Sequence, residues 1–199
     1  MRRDLTRIAV FVSGGGTNLK ALIDAEKAGR IRSGKIALVV SNKKDAYALA
    51  RARESGIEAA YLRRRDFDEK LEPLMRAHRI DMIVLAGFLC ILPESFTKLY
   101  AGRMINIHPA LIPSFCGEGF YGLHVHEAAL ARGVKVTGAT VHYVNEICDG
   151  GEIIAQRAVS VKRGDTPETL QRRVMELAEW RILPPAVEKV AKEIRNERV

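Results

Sequence analysis

The sequence predicts an α/β fold: one domain built on a mostly parallel, Rossmann-like sheet with helices on both faces. Short apolar segments typical of buried strands alternate with segments of helical periodicity over the first half of the chain. The most apolar of these, residues 80–87 (IDMIVLAG), indicates a strand that is covered on both sides. A glycine-rich turn separates the first strand from the first helix.

The bounds of these helices and strands are predicted from hydrophobic periodicity and from residues that favour helix ends. Asp45 is a candidate N-cap of the second helix, and Pro93 is expected to open the fourth. A regular strand–helix order implies right-handed crossovers between parallel strands. The expected strands are 7–13, 35–41, 56–62, 80–87 and 104–108, and the expected helices are 18–28, 46–54, 67–78 and 93–100.

The alternation ends after Pro109, where a glycine-rich stretch predicts a long loop. Beyond it we expect a helix at 126–132 and two strands at 137–144 and 152–161. A final helical region at 166–195 contains Pro184-Pro185, which is expected to kink or divide it.

Composition fits a single domain over residues 1–199. Of these residues 47% are hydrophobic, enough for a core without disulfides or metals. The three cysteines lack CxxC spacing and no export signal is recognisable, which predicts a cytoplasmic protein. No apolar run is long enough for a membrane helix, so no membrane partner is expected. The formal charge is +8. Because acids interrupt the basic residues and aromatics are few, we expect no nucleic-acid partner, and attraction of small anions is the alternative use of the charge.

The turn at residues 13–19 (SGGGTNL) is a candidate phosphate site. Its glycines let backbone N–H groups approach an anion at the start of a helix. Thr17 and Asn18 add side-chain donors and a possible N-cap. Leu19 stands where a dinucleotide fingerprint requires its third glycine, and no Walker lysine follows. A monophosphate fits this turn better than a pyrophosphate, and a tight turn without a ligand is the alternative.

Two polar pairs are candidates for chemistry. Asn106 and His108 share one face of the fifth strand, where an amide donor beside an imidazole could stabilise an oxyanion and move a proton. Thr140 and His142 share a face of a later strand, and Asp149 follows on a flexible loop. A carboxylate there could hold an imidazole and raise its pKa.

The segment 85–92 (LAGFLCIL) leaves the most apolar strand and predicts an apolar slot for a flat heterocycle. His124, His126, Cys116 and Cys148 lack the spacing of a structural zinc site, so no metal is expected. No G-x-S-x-G elbow of a serine hydrolase occurs.

These four segments, in this order, resemble the glycinamide ribonucleotide formyltransferase family. The matching residues are VSGGGTNL, LAGFLCIL, INIHPALIPSF and TGATVHYVNEICDGG. The resemblance implies a formyltransferase fold. It also implies transfer of the formyl group of 10-formyltetrahydrofolate, through a tetrahedral intermediate, to the primary amine of glycinamide ribonucleotide in purine biosynthesis. No metal takes part, and the expected state is a monomer or homodimer.

The resemblance also assigns residues. Catalysis falls on Asn106, His108 and Asp149, with Asp149 keeping His108 protonated and with Thr140 and His142 supporting Asp149. The nucleotide phosphate falls on Gly16, Thr17 and Asn18, and the ribose on Glu179, with Glu176 as the alternative. The formyl-folate site falls on Arg64, Phe88, Leu89, Cys90, Ile91, Leu92, Asn106, Val144 and Glu146.

Some residues depart from the family pattern. Cys90 stands where some members have arginine, Glu152 replaces a frequent proline, and Trp180 replaces the usual histidine after Glu179. The segment 116–124 (CGEGFYGLH) is longer than its compact counterpart and is a candidate lid. None of these departures touches Asn106, His108 or Asp149.

Two other functions remain open. A formyltetrahydrofolate deformylase-like hydrolase would share the three catalytic residues but would carry an extra N-terminal domain, and we expect the first strand already at residue 7. A non-catalytic nucleotide-binding module would need the turn but not the catalytic residues. A methionyl-tRNA formyltransferase is disfavoured because it would carry a second C-terminal domain, and a Rossmann reductase is disfavoured by Leu19.

Overall fold

The computed structural model describes residues 5–197, which form one seven-stranded sheet with helices on both faces. The sheet order is β3-β2-β1-β4-β5-β6-β7. The strands are β1 (Thr6–Val12), β2 (Gly34–Ser41), β3 (Glu58–Tyr61), β4 (Met82–Leu85), β5 (Met104–His108), β6 (Val136–Tyr143) and β7 (Ile153–Ser160). The helices are α1 (Thr17–Lys27), α2 (Tyr47–Glu54), α3 (Phe67–Ala77), α4 (Glu94–Leu99), α5 (Leu123–Arg132), α6 (Pro167–Val174) and α7 (Trp180–Glu197).

Strands β1–β5 pair with one another in parallel, whereas β6 is antiparallel to both β5 and β7. The prediction of a mostly parallel α/β sheet is therefore confirmed. The chain builds outward from β1 through β2 to β3 and then returns to place β4 on the other side of β1. This reversal puts the turn after β1 and the segment after β4 side by side, at the edge where open α/β sheets bind ligands.

Both faces of the central strands β1 and β4 are buried, which explains their apolar runs. Along β1, Ile8 and Val10 belong to one core cluster, whereas Ala9 and Phe11 belong to the other. This alternation follows the two-residue period of a strand. α3 and α4 cover the second cluster, and residues of the remaining α-helices pack in the first.

Several local expectations are wrong. Ala46 is the N-cap of α2 and no side chain caps it, so Asp45 is not the cap. Pro93 is the N-cap of α4 rather than its first residue. α5 begins at Leu123, earlier than the expected residue 126.

The terminal helical region is interrupted ahead of its prolines. A π turn at Met175–Glu179 separates α6 from α7, and α7 runs through Pro184 and Pro185. The break thus precedes the prolines, which are the fifth and sixth residues of α7. In residues 5–197, no helix is both long and apolar enough to cross a membrane.

Gly138, on β6, lies very close to the neighbouring strand β7. A Cβ on Gly138 would press into the carbonyl oxygen of Arg157 on β7 and lie 2.8 Å from Cδ2 of Leu111. We expect Gly138→Ala to lower the free energy of unfolding by about 1–3 kcal/mol through overpacking. Urea denaturation measures this. The control Val136→Ala, at a position that is 50% exposed on the same strand, should change it by no more than about 0.5 kcal/mol. Equal effects of the two substitutions would contradict the close approach.

Candidate active site

The antiparallel pairing of β5 with β6 brings the predicted polar residues together. Asn106 lies opposite His142, and His108 lies opposite Thr140. Directly opposed residues project from the same face of a sheet. The connection between β6 and β7 then folds back, so that Asp149 reaches both Asn106 and His108. The structure therefore collects Asn106, His108, His142 and Asp149 at one place.

Asn106 is held by two acceptors. Its Nδ2 lies 3.1 Å from Nε2 of His142 and donates to Oδ1 of Asp149 over 3.3 Å. His142 Nδ1 lies 2.7 Å from the carbonyl oxygen of Tyr143. Because a carbonyl only accepts, Nδ1 of His142 donates to it, and Nε2 faces the Asn106 amide. The orientation of the Asn106 amide is therefore fixed before any ligand binds.

His108 is buried between a carbonyl and a carboxylate. Its Nε2 lies 2.7 Å from the carbonyl oxygen of Phe115, and its Nδ1 lies 3.4 Å from Oδ2 of Asp149. Burial lowers the pKa of His108 below its ordinary value, although the charge of Asp149 opposes the shift. Each ring nitrogen thus faces an acceptor, and the charge of Asp149 favours the protonated ring that the loss of hydration disfavours.

Asp149 stays ionised in the same surroundings. Burial alone would raise its pKa, but His142, His108 and the N–H of Gly117 together lower it. The Gly117 N–H donates to Oδ2 over 2.9 Å. Asp149 has a φ of 54°, a left-handed conformation that aspartate tolerates better than most residues. Position 151 requires glycine, because a Cβ there would collide with the carbonyl of Tyr143.

The glycine-rich loop after β5 covers these groups. Phe115 and Gly117 each bind one candidate catalytic side chain through the backbone. His108 is only 3% exposed as a result. No side-chain motif marks Phe115 or Gly117 as a site residue, so sequence reasoning missed both.

Thr140 does not support Asp149. Its hydroxyl donates to the carbonyl of Ala110 over 2.7 Å and accepts from the N–H of Ile112 over 3.1 Å. It therefore fixes the turn that follows His108. Of the two expected supports of Asp149, only His142 contacts it, with Nε2 lying 3.5 Å from Oδ1.

A cleft of about 510 Å³ opens beside Asn106 and Asp149. Leu89 does not line it: its side chain is 49% exposed, and its backbone N–H points to Ser13. The Phe88 ring stacks on Phe67, with centroids 6.0 Å apart, and makes one wall partly aromatic. The other expected formyl-folate residues all line the cleft: Arg64, Phe88, Cys90, Ile91, Leu92, Asn106, Val144 and Glu146.

The glycine turn after β1 is anchored by its carbonyls. Gly14 accepts from the N–H of Ala48, and Gly15 accepts from Nε of Arg51 over 2.8 Å. Gly16 is the N-cap of α1 with a φ of 70°, and a Cβ there would lie 2.6 Å from that of Ala48. The first-turn N–H groups of α1 have no partner within the helix, which suits an anion. Arg51 adds a cation beside the turn that sequence reasoning missed.

Neither side chain after Gly16 caps the helix. Thr17 is already helical, and its hydroxyl lies 3.6 Å from Sδ of Met175. The amide of Asn18 is buried and donates to Oε2 of Glu179 over 2.5 Å. The expectation that the Asn18 side chain offers a donor to a phosphate is therefore wrong for this conformation, and its backbone N–H remains the candidate.

Glu179 contacts Asn18, next to the glycine turn, from the protein interior and not from an open surface. It is 5% exposed, and burial raises its pKa to about 7, although the Asn18 hydrogen bond opposes the shift. Glu176 lines a separate cavity beside β7, with Arg157 and Arg172. Within residues 5–197, no group of three or more His, Cys, Asp or Glu side chains is arranged to hold a metal ion.

Comparisons with known proteins agree with this geometry. The family model for formyl transferase matches residues 6–187. The human trifunctional purine biosynthetic protein adenosine-3 is 44% identical over 191 residues, which are 93% of this chain but 18% of that protein. The phosphoribosylglycinamide formyltransferase of Haemophilus influenzae is 40% identical over 90% of this chain and 84% of its own.

A solved structure is also similar. Glycinamide ribonucleotide transformylase 1 of Symbiobacterium toebii superposes with a TM-score of 0.87 at 38% identity, over 95% of this chain and 89% of that one. The similarity therefore extends over nearly the whole chain.

Burial of Glu179 makes the free energy of unfolding of the protein depend on pH. The carboxyl has a pKa near 4.5 when unfolded and about 7 when folded, so the folded state holds its proton more tightly. Its contribution to stability is full below pH 4.5 and is lost as pH rises to about 7. Glu179→Gln should therefore become more stable than the wild type across that range, by on the order of 2–3 kcal/mol. Urea denaturation at a series of pH values measures the difference, and a difference independent of pH would contradict the burial.

Proposed function

Because the chain belongs to the formyl transferase family, we propose that it transfers the formyl group of 10-formyltetrahydrofolate to the primary amine of glycinamide ribonucleotide. The products are N-formylglycinamide ribonucleotide and tetrahydrofolate, and the reaction belongs to de novo purine biosynthesis. The observation that carries this proposal is the meeting of Asn106, His108 and Asp149 at the end of a partly aromatic cleft.

In this mechanism, Asn106 stabilises the negative charge that develops on the formyl oxygen. The amine nitrogen attacks the formyl carbon, and the carbonyl oxygen becomes an oxyanion. Nδ2 of Asn106 lies 3.1 Å from Nε2 of His142 and 3.3 Å from Oδ1 of Asp149. The longer contact is the one that the oxyanion replaces, since a pre-oriented donor stabilises charge as it develops.

His108 and Asp149 then move the proton. Burial lowers the pKa of His108, which makes the charged ring a readier proton donor. The ring accepts the proton that the attacking amine releases and passes it to the departing folate nitrogen, as the carbon–nitrogen bond breaks. Asp149, ionised and beside Nδ1, stabilises the imidazolium in between.

The nucleotide binds on the other side of the site. Its phosphate lies against the glycine turn at Gly16 and Thr17 with Arg51 beside it, and its ribose is nearest to Glu179. The formal charge of +8 favours capture of an anionic nucleotide and an anionic folate. We further propose that residues 1–199 act as one domain, as a cytoplasmic monomer or homodimer, without nucleic-acid or membrane partners.

The proposed activity is tested by mixing the protein with 10-formyltetrahydrofolate and following the absorbance of the folate product. Turnover should require glycinamide ribonucleotide, because its amine is the acceptor. Equal turnover without the nucleotide would identify a hydrolytic deformylase instead. Absence of turnover in folded protein would favour a nucleotide-binding module.

His108→Ala tests the proposed proton transfer. Loss of a general acid–base typically slows a reaction by about 10²–10⁴-fold, so kcat should fall by that order. The KM values should change far less, since the ring does not lie in the cleft wall. Steady-state kinetics with both substrates measures the two parameters. A change confined to KM would show that His108 only binds substrate.

A further inference from the structure

A chain of hydrogen bonds joins the ends of three neighbouring strands beneath the cleft. Ser13, just after β1, donates from Oγ to Oδ1 of Asn42, just after β2, over 2.6 Å. Nδ2 of Asn42 donates to Sγ of Cys90, which follows β4, over 2.9 Å. The N–H of Leu89 donates back to Oγ of Ser13 over 2.8 Å. Ser13, Asn42 and Cys90 are called the strand-end bridge below.

One orientation of the Asn42 amide satisfies every group in the bridge. The Ser13 hydroxyl accepts from Leu89, so its own proton needs an acceptor, which is Oδ1 of Asn42. The amide nitrogen then faces Cys90, whose sulfur accepts. Turning the amide over would leave the Ser13 proton without an acceptor. The bridge therefore has a defined direction.

The two ends of the bridge belong to different substrate sites. Ser13 begins the glycine turn that is proposed to hold the nucleotide phosphate, and Cys90 lies in the wall of the cleft that is proposed to hold the folate. Ser13 is 2% exposed, so it supports the turn from within. A second tie, from the N–H of Ser13 to the carbonyl of Gly87 over 3.0 Å, joins the same two segments through the backbone.

We propose that Asn42 is a positioning residue that couples the two substrate sites, so that binding of either substrate favours binding of the other. The inference rests on the proposed function, because it presupposes two substrates. Asn42 touches neither substrate itself. It sets the position of the turn and of the cleft wall together, so a ligand that orders one orders the other.

Initial rates over a grid of both substrate concentrations test this coupling. In the wild type, the KM for each substrate should fall as the other is raised. Asn42→Ala removes the hydrogen bonds to Ser13 and Cys90, so it should weaken that mutual dependence and raise both KM values about three- to tenfold. Its kcat should stay within about threefold of the wild type, since the reacting groups are untouched.

Cys90 supplies a matched pair of variants. Cys90→Ala removes the acceptor and should reproduce the loss of coupling, whereas Cys90→Ser keeps an acceptor and should restore most of it. Asp45→Ala, at an exposed position in the same connection after β2, is the control that should leave the kinetics unchanged. Circular dichroism melts establish that each variant is folded, and the Cys90 pair decides the question if Asn42→Ala does not fold.

The outcomes separate this inference from the proposed function. If the wild type turns over and Asn42→Ala keeps the mutual dependence, or raises only one KM, the coupling role of Asn42 is overturned. A Cys90→Ser variant as uncoupled as Cys90→Ala would also overturn it. A wild type without turnover would overturn the proposed function and this inference with it.

Discussion

The register between β5 and β6 is the constraint on which the site depends. It sets Asn106 against His142 and His108 against Thr140. A slip by one residue would turn His142 and Thr140 to the other face of the sheet and leave Asn106 without its acceptor. Because β6 is antiparallel, its return connection is free to fold back with Asp149. A parallel neighbour would have needed a crossover helix in that place.

Burial and the charge of Asp149 shift the pKa of His108 in opposite directions. Its carboxylate partner favours the imidazolium, yet the pKa is lowered because the loop after β5 removes water from the ring. The loop contacts these two side chains through backbone groups only: the Phe115 carbonyl faces His108, and the Gly117 N–H donates to Asp149. The loop therefore holds both side chains through backbone groups and shields His108 from water.

The sequence predicted the sheet well because both faces of its central strands are buried, so that apolar runs such as residues 80–87 mark the strands directly. It also predicted the convergence of Asn106, His108 and Asp149 through their matching motifs. It failed where a residue's partner lies far along the chain. Asn18 pairs with Glu179, 161 positions away, and the Thr140 hydroxyl serves the turn after His108. Periodicity and motif spacing carry no information about such contacts.

The glycine turn is also less local than its motif suggests. Thr17 contacts Met175 and Asn18 contacts Glu179, the first and last residues of the π turn between α6 and α7. π turns are uncommon within helical segments and recur at functional sites. Here the π turn presents both side chains to successive residues of α1. The conformation that offers backbone N–H groups to an anion therefore depends on the C-terminal helices, which explains why a pattern of glycines alone does not define the site.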